Sequence, residues 1–182
     1  MNKGQKSAVI LDLAGKLLHG GSWCGETHLQ KAAYLLQQLL RIDTEFEFIL
    51  YKHGPFSFEL RDALAEMTAD GLLENVVRQP GYGPTVVLTS DGKEFLERFP
   101  KTLRRYERQV DFVAERLGDK GVSELERLVT AVYLNARHPD DSLEERADAL
   151  VQIKPHISMY EAREAFREAD RLASDADKVR YS

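Results

Sequence analysis

The chain has 182 residues, a net charge of −5 and 43% hydrophobic residues, enough for a core of its own. The charge is uneven: residues 1–110 carry 14 basic and 14 acidic side chains, residues 111–182 carry 11 basic and 16 acidic ones. This excludes the globally basic balance of a general nucleic-acid binder, and the single Cys24 excludes an intramolecular disulfide.

In chain order, residues 4–19 place Val9, Ile10, Leu13 and Leu17 on one helical face, and Gly20-Gly21 ends that helix. Asp12 and Lys16 interrupt this apolar run, so no signal peptide is expected here. No run approaches the roughly 20 apolar residues of a membrane span. A cytoplasmic protein is therefore expected. After a loop at 22–26, Thr27 and Gln30 have capping-box spacing. The helix that follows, from 28 to about 40, is apolar over a wide arc (Leu29, Ala32, Ala33, Leu36, Leu39, Leu40) and is expected to be central and buried. Residues 44–51 alternate, with Phe46, Phe48 and Leu50 against Glu45 and Glu47, which predicts a half-buried strand. It is expected to pair with the hairpin that comes later.

Lys52-His53-Gly54-Pro55 reads as a turn, because Gly tolerates positive φ and a residue before Pro avoids the helical region. Ser57 is placed to cap a helix that has Glu59 in its first turn and Leu60, Ala63, Leu64, Met67 and Leu72 at helical spacing. Gly71 suits its end. Segments 74–79 and 84–89 read as two short strands joined by Pro80-Gly81-Tyr82-Gly83. Ser90-Asp91-Gly92 opens a helix to about 117, which Pro100 is expected to kink or break. Three S-x-x-E boxes follow, Ser123/Glu126, Ser142/Glu145 and Ser158/Glu161, opening helices of about 12, 10 and 16 residues. In the last, Ala162, Ala165, Phe166, Ala169 and Leu172 are expected to pack inward. Arg163, Arg167 and Arg171 with Glu164 and Glu168 form its exposed face. The fold class is α+β and mostly α: a winged helix-turn-helix-like core with a small antiparallel sheet, plus C-terminal helices. The expected division is a core at 1–117, a helical part at 118–174 packed on it, and a frayed tail at 175–182.

Two charged stripes stand out. Glu59, Asp62, Glu66 and Asp70 recur at three, four and four, one face of the helix that would read DNA in a winged helix. Carboxylates repel phosphates, so this face is unsuited to a DNA groove. It suits a basic protein surface, and the plainer reading is a solvated face. Lys101, Arg104, Arg105 and Arg108 form a basic stripe that would dock a nucleic-acid backbone or an acidic partner. Its plainer reading is a solvated face pairing with Glu97 or Glu107. His19, Cys24 and His28 lack the spacing of a metal site. His53 beside Lys52 and near Glu59 has no nucleophile or second base in the context catalysis requires. No metal, cofactor or catalytic residue is expected.

These segments carry a resemblance. Leu29-Gln30-Lys31-Ala32-Ala33-Tyr34-Leu35 resembles the "LQKL-Y-L" helix of YwgA-like proteins, and 48–60, FILYKHGPFSFEL, resembles their "F-Y-K-Y-G-P-Y-S-EL" segment. Asp70-Gly71-Leu72 is similar to their "GLI", and Lys154-Pro155-His156 to a weaker "KPH" feature. The wider Panacea family, linked to antitoxin and phage-associated genes, shares the two central motifs, as does the C-terminal half of some macro-domain antitoxins. His53 departs from the aromatic residue commoner at its position. The resemblance covers about residues 27–96 well and 123–173 loosely. It implies a non-catalytic module in toxin neutralisation, phage-related biology or regulation. The family-motif positions are Gln30, Lys31, Tyr34, Tyr51, Lys52, His53, Gly54, Pro55 and Ser57. Lys31 and Tyr34 are expected to touch 51–53 at the core edge. The expectation is therefore a protein-binding module, with a homodimer compatible and the acidic stripe facing a basic partner such as a toxin's nucleic-acid groove. The alternative is a winged-helix DNA-binding regulator using Lys52, Arg61, Arg78, Lys101, Arg104, Arg105 and Arg108. An enzyme would need a deep pocket with a perturbed acid–base pair.

Overall fold

The computed structural model describes residues 1–181. Helix α1 (Lys3–His19) begins at an Asn2/Gln5 capping box and buries Val9, Ile10, Leu13 and Leu17. Helix α2 (Glu26–Gln38) is buried from His28 through Leu36, including the polar Gln30 and Lys31. Its cap is Gly25, so the Thr27/Gln30 box does not form, and the Gln30 side chain points into the interior instead. Residues 44–50 alternate between inside and outside as the pattern predicts, but the strand is confined to β1 (Ile49–Tyr51). The reason is local. The Gln37 side chain takes both main-chain groups of Phe46, donating to its carbonyl at 2.9 Å and accepting from its N–H at 3.1 Å. Glu45 adds a left-handed φ of 56°.

β1 pairs antiparallel with β2 (Gly54–Phe56), Tyr51 opposite Gly54 and Ile49 opposite Phe56. The expected pairing of this strand with the later hairpin is therefore wrong, and the turn shrinks to Lys52-His53. Ser57 caps α3 (Phe58–Ala69), accepting from the Leu60 N–H at 3.2 Å. The later hairpin, β3 (Leu73–Val76) with β4 (Thr85–Leu88), is a separate two-stranded sheet. Pro100 breaks the next helix: α4 (Ser90–Glu97) ends before it, and Pro100 opens α5 (Pro100–Leu117), where its missing N–H costs nothing.

Helix α6 (Val122–Arg137) starts from Gly121 with Glu124 reaching back to it, not from the Ser123/Glu126 box. The box expected at Ser142 forms and opens α7 (Leu143–Ile153). The Ser158/Glu161 bonds form at the start of α8 (Met159–Tyr181). α8 buries Ala162, Ala165, Phe166, Ala169 and Leu172 as predicted. Its arginine face bridges outward to α7 through Arg163–Glu144 at 2.7 Å. The segment expected to fray is helical through Tyr181 and buries Ala176; Ser182 lies outside the described residues.

α1 lies against α5, α2 and β4, while α2 and β2 both touch α6, and α8 packs on α5, α6 and α7. The mostly helical α+β class holds, with two small antiparallel sheets. Among the described residues no helix is long and apolar enough to cross a membrane.

Candidate functional site

Three distant segments meet behind the β1–β2 hairpin. From α2, the fully buried Gln30 amide makes a reciprocal pair with the backbone of Ser57, donating to its carbonyl at 2.9 Å and accepting from its N–H at 2.8 Å. One residue on, Lys31 is 1% exposed and donates to the Pro55 carbonyl at 3.0 Å. Burial pushes its pKa down from the ordinary 10.5 to about 8; the Glu126 carboxylate opposes this and the Lys154 ammonium adds to it.

Glu126 comes from α6 and Lys154 from the end of α7. The two pair at 2.7 Å with both side chains nearly buried, and Lys154 also donates to the Lys52 carbonyl. His53 places Nδ1 3.4 Å from the other Glu126 oxygen, and His156 Nε2 lies 4.0 Å from the first. Burial acts to raise the Glu126 pKa, but the hydrogen bond and charge of Lys154, helped by His53, hold it below the ordinary carboxylate value. Gly54 lies against α6 with φ +90°, where a Cβ would sit 2.6 Å from Thr130 Oγ1. Only a glycine lets the hairpin approach this closely. The Tyr34 ring packs on Phe48 and Tyr133, with centroids 5.2 and 5.9 Å away.

Eight of the nine family-motif positions thus gather in or around one knot, with Tyr34 behind it, and Lys154 and His156 join them. Glu126, at its centre, escapes sequence reasoning because a glutamate three residues after a serine reads as a cap. Chemically the knot is a brace. Its ammonium and amide groups end on main-chain atoms at positions 52, 55 and 57, and so hold the hairpin against α2, α6 and α7.

On the outer face of that hairpin three aromatic rings touch: Tyr51 with Phe56 and Phe58 at 5.6 Å each, and Phe56 with Phe58 at 5.1 Å. Tyr51 and Phe58 are 44% and 41% exposed, and Ile49 beside them 41%. Arg61 stacks on Phe58 at 5.0 Å, and Lys52 lies 6.0 Å from the Tyr51 ring.

The charged stripes lie outside this site. On α3, all four acids are exposed, but Glu59 accepts from the Glu47 N–H at 2.9 Å, Asp62 pairs with Arg61 and Glu66 with Lys3. On α5, Lys101, Arg104, Arg105 and Arg108 are exposed, and among the described residues none has an ion pair within 4.0 Å, Glu97 and Glu107 included. Arg78 is exposed beyond β3. Cys24 and His28 are engaged elsewhere: Cys24 donates to the Ala14 carbonyl, its thiol pushed up to about 12 by burial, and His28 contacts the Lys120 carbonyl at 3.2 Å. A cavity of about 580 Å³ opens between Trp23, His28, Tyr82 and Lys120, with Glu26 and Thr27 also on its lining.

A scan against protein-family models and a search of curated proteins found no match to this chain.

Proposed function

We propose that this protein is a non-enzymatic interaction module that binds a protein partner through the outer face of the β1–β2 hairpin. The observation that carries this reading is the use made of the buried polar groups. Gln30, Lys31 and Lys154 hold main-chain atoms of the hairpin and of the cap that follows it, and what this segment then presents is a cluster of three aromatic rings, Tyr51 and Phe58 exposed and Phe56 half-buried, flanked by arginine and lysine. Aromatic residues and arginine are the side chains that dominate binding energy at protein interfaces, most of all on rigid elements. The resemblance to YwgA-like and Panacea modules supports the same reading, since the motif segments are those that build the brace and the ring cluster. On that resemblance, the partner we infer is a toxin or a phage- or defence-related protein. The acidic stripe of α3 borders this face.

The test is site-specific photo-crosslinking in the native cell, with a benzoylphenylalanine at position 51 and a control at the more exposed Tyr160 of α8. A discrete protein adduct from position 51 and none from position 160 is expected. No adduct from position 51, or adducts to nucleic acid, would overturn the reading.

One observation favours a second reading, a DNA-binding regulator. The order α1, α2, α3 and the β3–β4 hairpin supports a winged-helix arrangement, and the basic stripe of α5 carries no internal counter-charges among the described residues. Such a regulator would bind mixed-sequence duplex DNA with an affinity falling steeply with salt, and fluorescence anisotropy at low and moderate salt reads this directly.

A further inference from the structure

Beside the aromatic rings the hairpin borders a depression of about 250 Å³. Three cationic side chains line it, Lys31 at its base, then Lys52 and Arg61, with the His53 imidazole beside them. Tyr51 and Phe56 form its apolar wall, and Glu26 is the one carboxylate on its lining.

The charges here are unbalanced in a specific way. Lys31 and Lys154 are both buried; Glu126 pairs with Lys154, and Glu126 and, more weakly, Glu26 are the carboxylates that act on Lys31. Glu126 itself is taken by Lys154 at 2.7 Å and contacted by His53 and His156. Lys31 has three N–H donors, and among the described residues Pro55 O is its hydrogen-bond acceptor. A buried ammonium with donors left over is costly, and a carboxylate brought close to it repays much of that cost. At the rim, Lys52 has no ion pair among the described residues, and Arg61, its Cζ 5.0 Å from the centre of the Phe58 ring, is paired with Asp62 at 2.9 Å. The Asp62 pair uses Nε and Nη2 of Arg61, which leaves guanidinium donors for a second carboxylate.

The geometry points to this depression as a receptor for carboxylate side chains of an acidic segment of the partner, one acid directed at Lys31 and His53 and a neighbouring acid at Lys52 and Arg61. This rests on the reading of the hairpin as the partner-binding face and adds the partner's chemistry. The aromatic rings supply contact area, and the cationic depression selects for acid. Charge complementarity decides between partner types, because a basic segment laid on these rings would bring its cations against Lys52 and Arg61.

The test uses a defined probe. The isotope-labelled full chain is titrated, at low salt, with a blocked hexapeptide of alternating Asp and Glu, with its Asn/Gln counterpart, and with an oligothymidylate. Saturable shifts at Lys31, Lys52, His53 and Arg61 are expected for the acidic peptide and not for the amide peptide. The double variant Lys52→Gln/Arg61→Gln should weaken the acidic peptide at least about tenfold, while Lys101→Gln/Arg105→Gln leaves it unchanged. Acidic-peptide shifts confined to α5, or no saturable shift at the depression, would overturn the assignment. So would oligothymidylate shifting the four residues more strongly than the peptide, which would make nucleic acid the anion. The outcome is separable from that of the interaction reading. A protein adduct at position 51 whose crosslinked segment is neutral or basic would uphold a partner-binding hairpin and refute the carboxylate receptor.

Discussion

Glu126 sits among more positive charge than one carboxylate neutralises, and this sets what its removal does. Its pair with Lys154 is nearly buried on both sides, so Glu126→Gln leaves the Lys154 ammonium in the interior without its carboxylate and Lys31 with the weaker influence of Glu26 alone. Breaking a buried pair from one side costs about 3–5 kcal/mol, and urea denaturation should read a loss of that size. Adding Lys154→Met removes one of the stranded charges and should recover much of it; if the double variant is as unstable as the two single losses added together, the pair is not coupled. Lys31 makes a second prediction, in pH. Its folded pKa is lowered from 10.5 to about 8. Below that value folded and unfolded chains both hold the proton. Between about 8 and 10.5 the unfolded chain keeps a proton the folded chain has released, so stability from this group rises with pH. Lys3, Lys16 and Lys120 have raised values, and what they contribute is lost only above 10.5, outside this window. The stability of the wild type relative to Lys31→Met should therefore climb between about pH 7.5 and about pH 10, by on the order of 1–3 kcal/mol. A difference that stays flat across that range would show that Lys31 is not desolvated as its burial implies.

The hairpin is the element on which sequence and structure part most usefully. Its contacts depend on Gly54, which combines a positive φ with a Cβ position 2.6 Å from Thr130 Oγ1. Gly71, after α3, has a similar φ of +74° but open space around it. Gly71→Ala should then cost only the backbone term, about 1–2 kcal/mol, and Gly54→Ala distinctly more, about 2–4 kcal/mol. In the Gly54→Ala background Thr130→Ala should restore the difference between the two, as measured by denaturant midpoints; no restoration would mean that the close approach to α6 is not what the glycine serves. The sequence already marks this position through Gly-Pro, but not the surface it is pressed against. Caps tell the same story. The boxes at Ser142 and Ser158 form where both partners are exposed, whereas Gln30 and Glu126, with equal local credentials, are taken by Ser57 and Lys154. A capping pattern reports what a side chain can do locally, and a tertiary partner outbids it wherever the side chain is buried. Likewise the alternation at 44–50 reads correctly as burial, while strand pairing fails because Gln37 occupies the main chain of Phe46.

At the scale of the molecule, the two hairpins belong to different neighbourhoods. β1–β2 is fastened by side chains to α2, α6 and α7 across up to 102 residues of sequence, from Lys52 to Lys154. β3–β4 instead rests on α1, α3 and α4, with its Val86 N–H donating to the Cys24 carbonyl at 2.9 Å. This long-range fastening could not be read from periodicity, because the residues that make it look local in sequence: a helix position, a turn, a cap and a Lys-Pro step. The family resemblance does group three of those four segments, and it omits Glu126, which joins them. Because the polar contacts centred on Glu126 reach β1–β2 and not β3–β4, loss of that centre should loosen one hairpin and spare the other. Hydrogen exchange read by mass spectrometry tests this under conditions where Glu126→Gln remains folded. Exchange in 49–57 should accelerate at least about tenfold, while 73–76 and 85–88 stay within about twofold of the wild type, since sub-global opening follows the contacts that are lost. Equal acceleration of both hairpins would mean that they open together, and that the knot stabilises the whole chain rather than presenting one face. The same measurement bears on function: the polar contacts hold the main chain of the binding face, so a variant that loosens 49–57 without unfolding the chain should lose the partner adduct at position 51 in step.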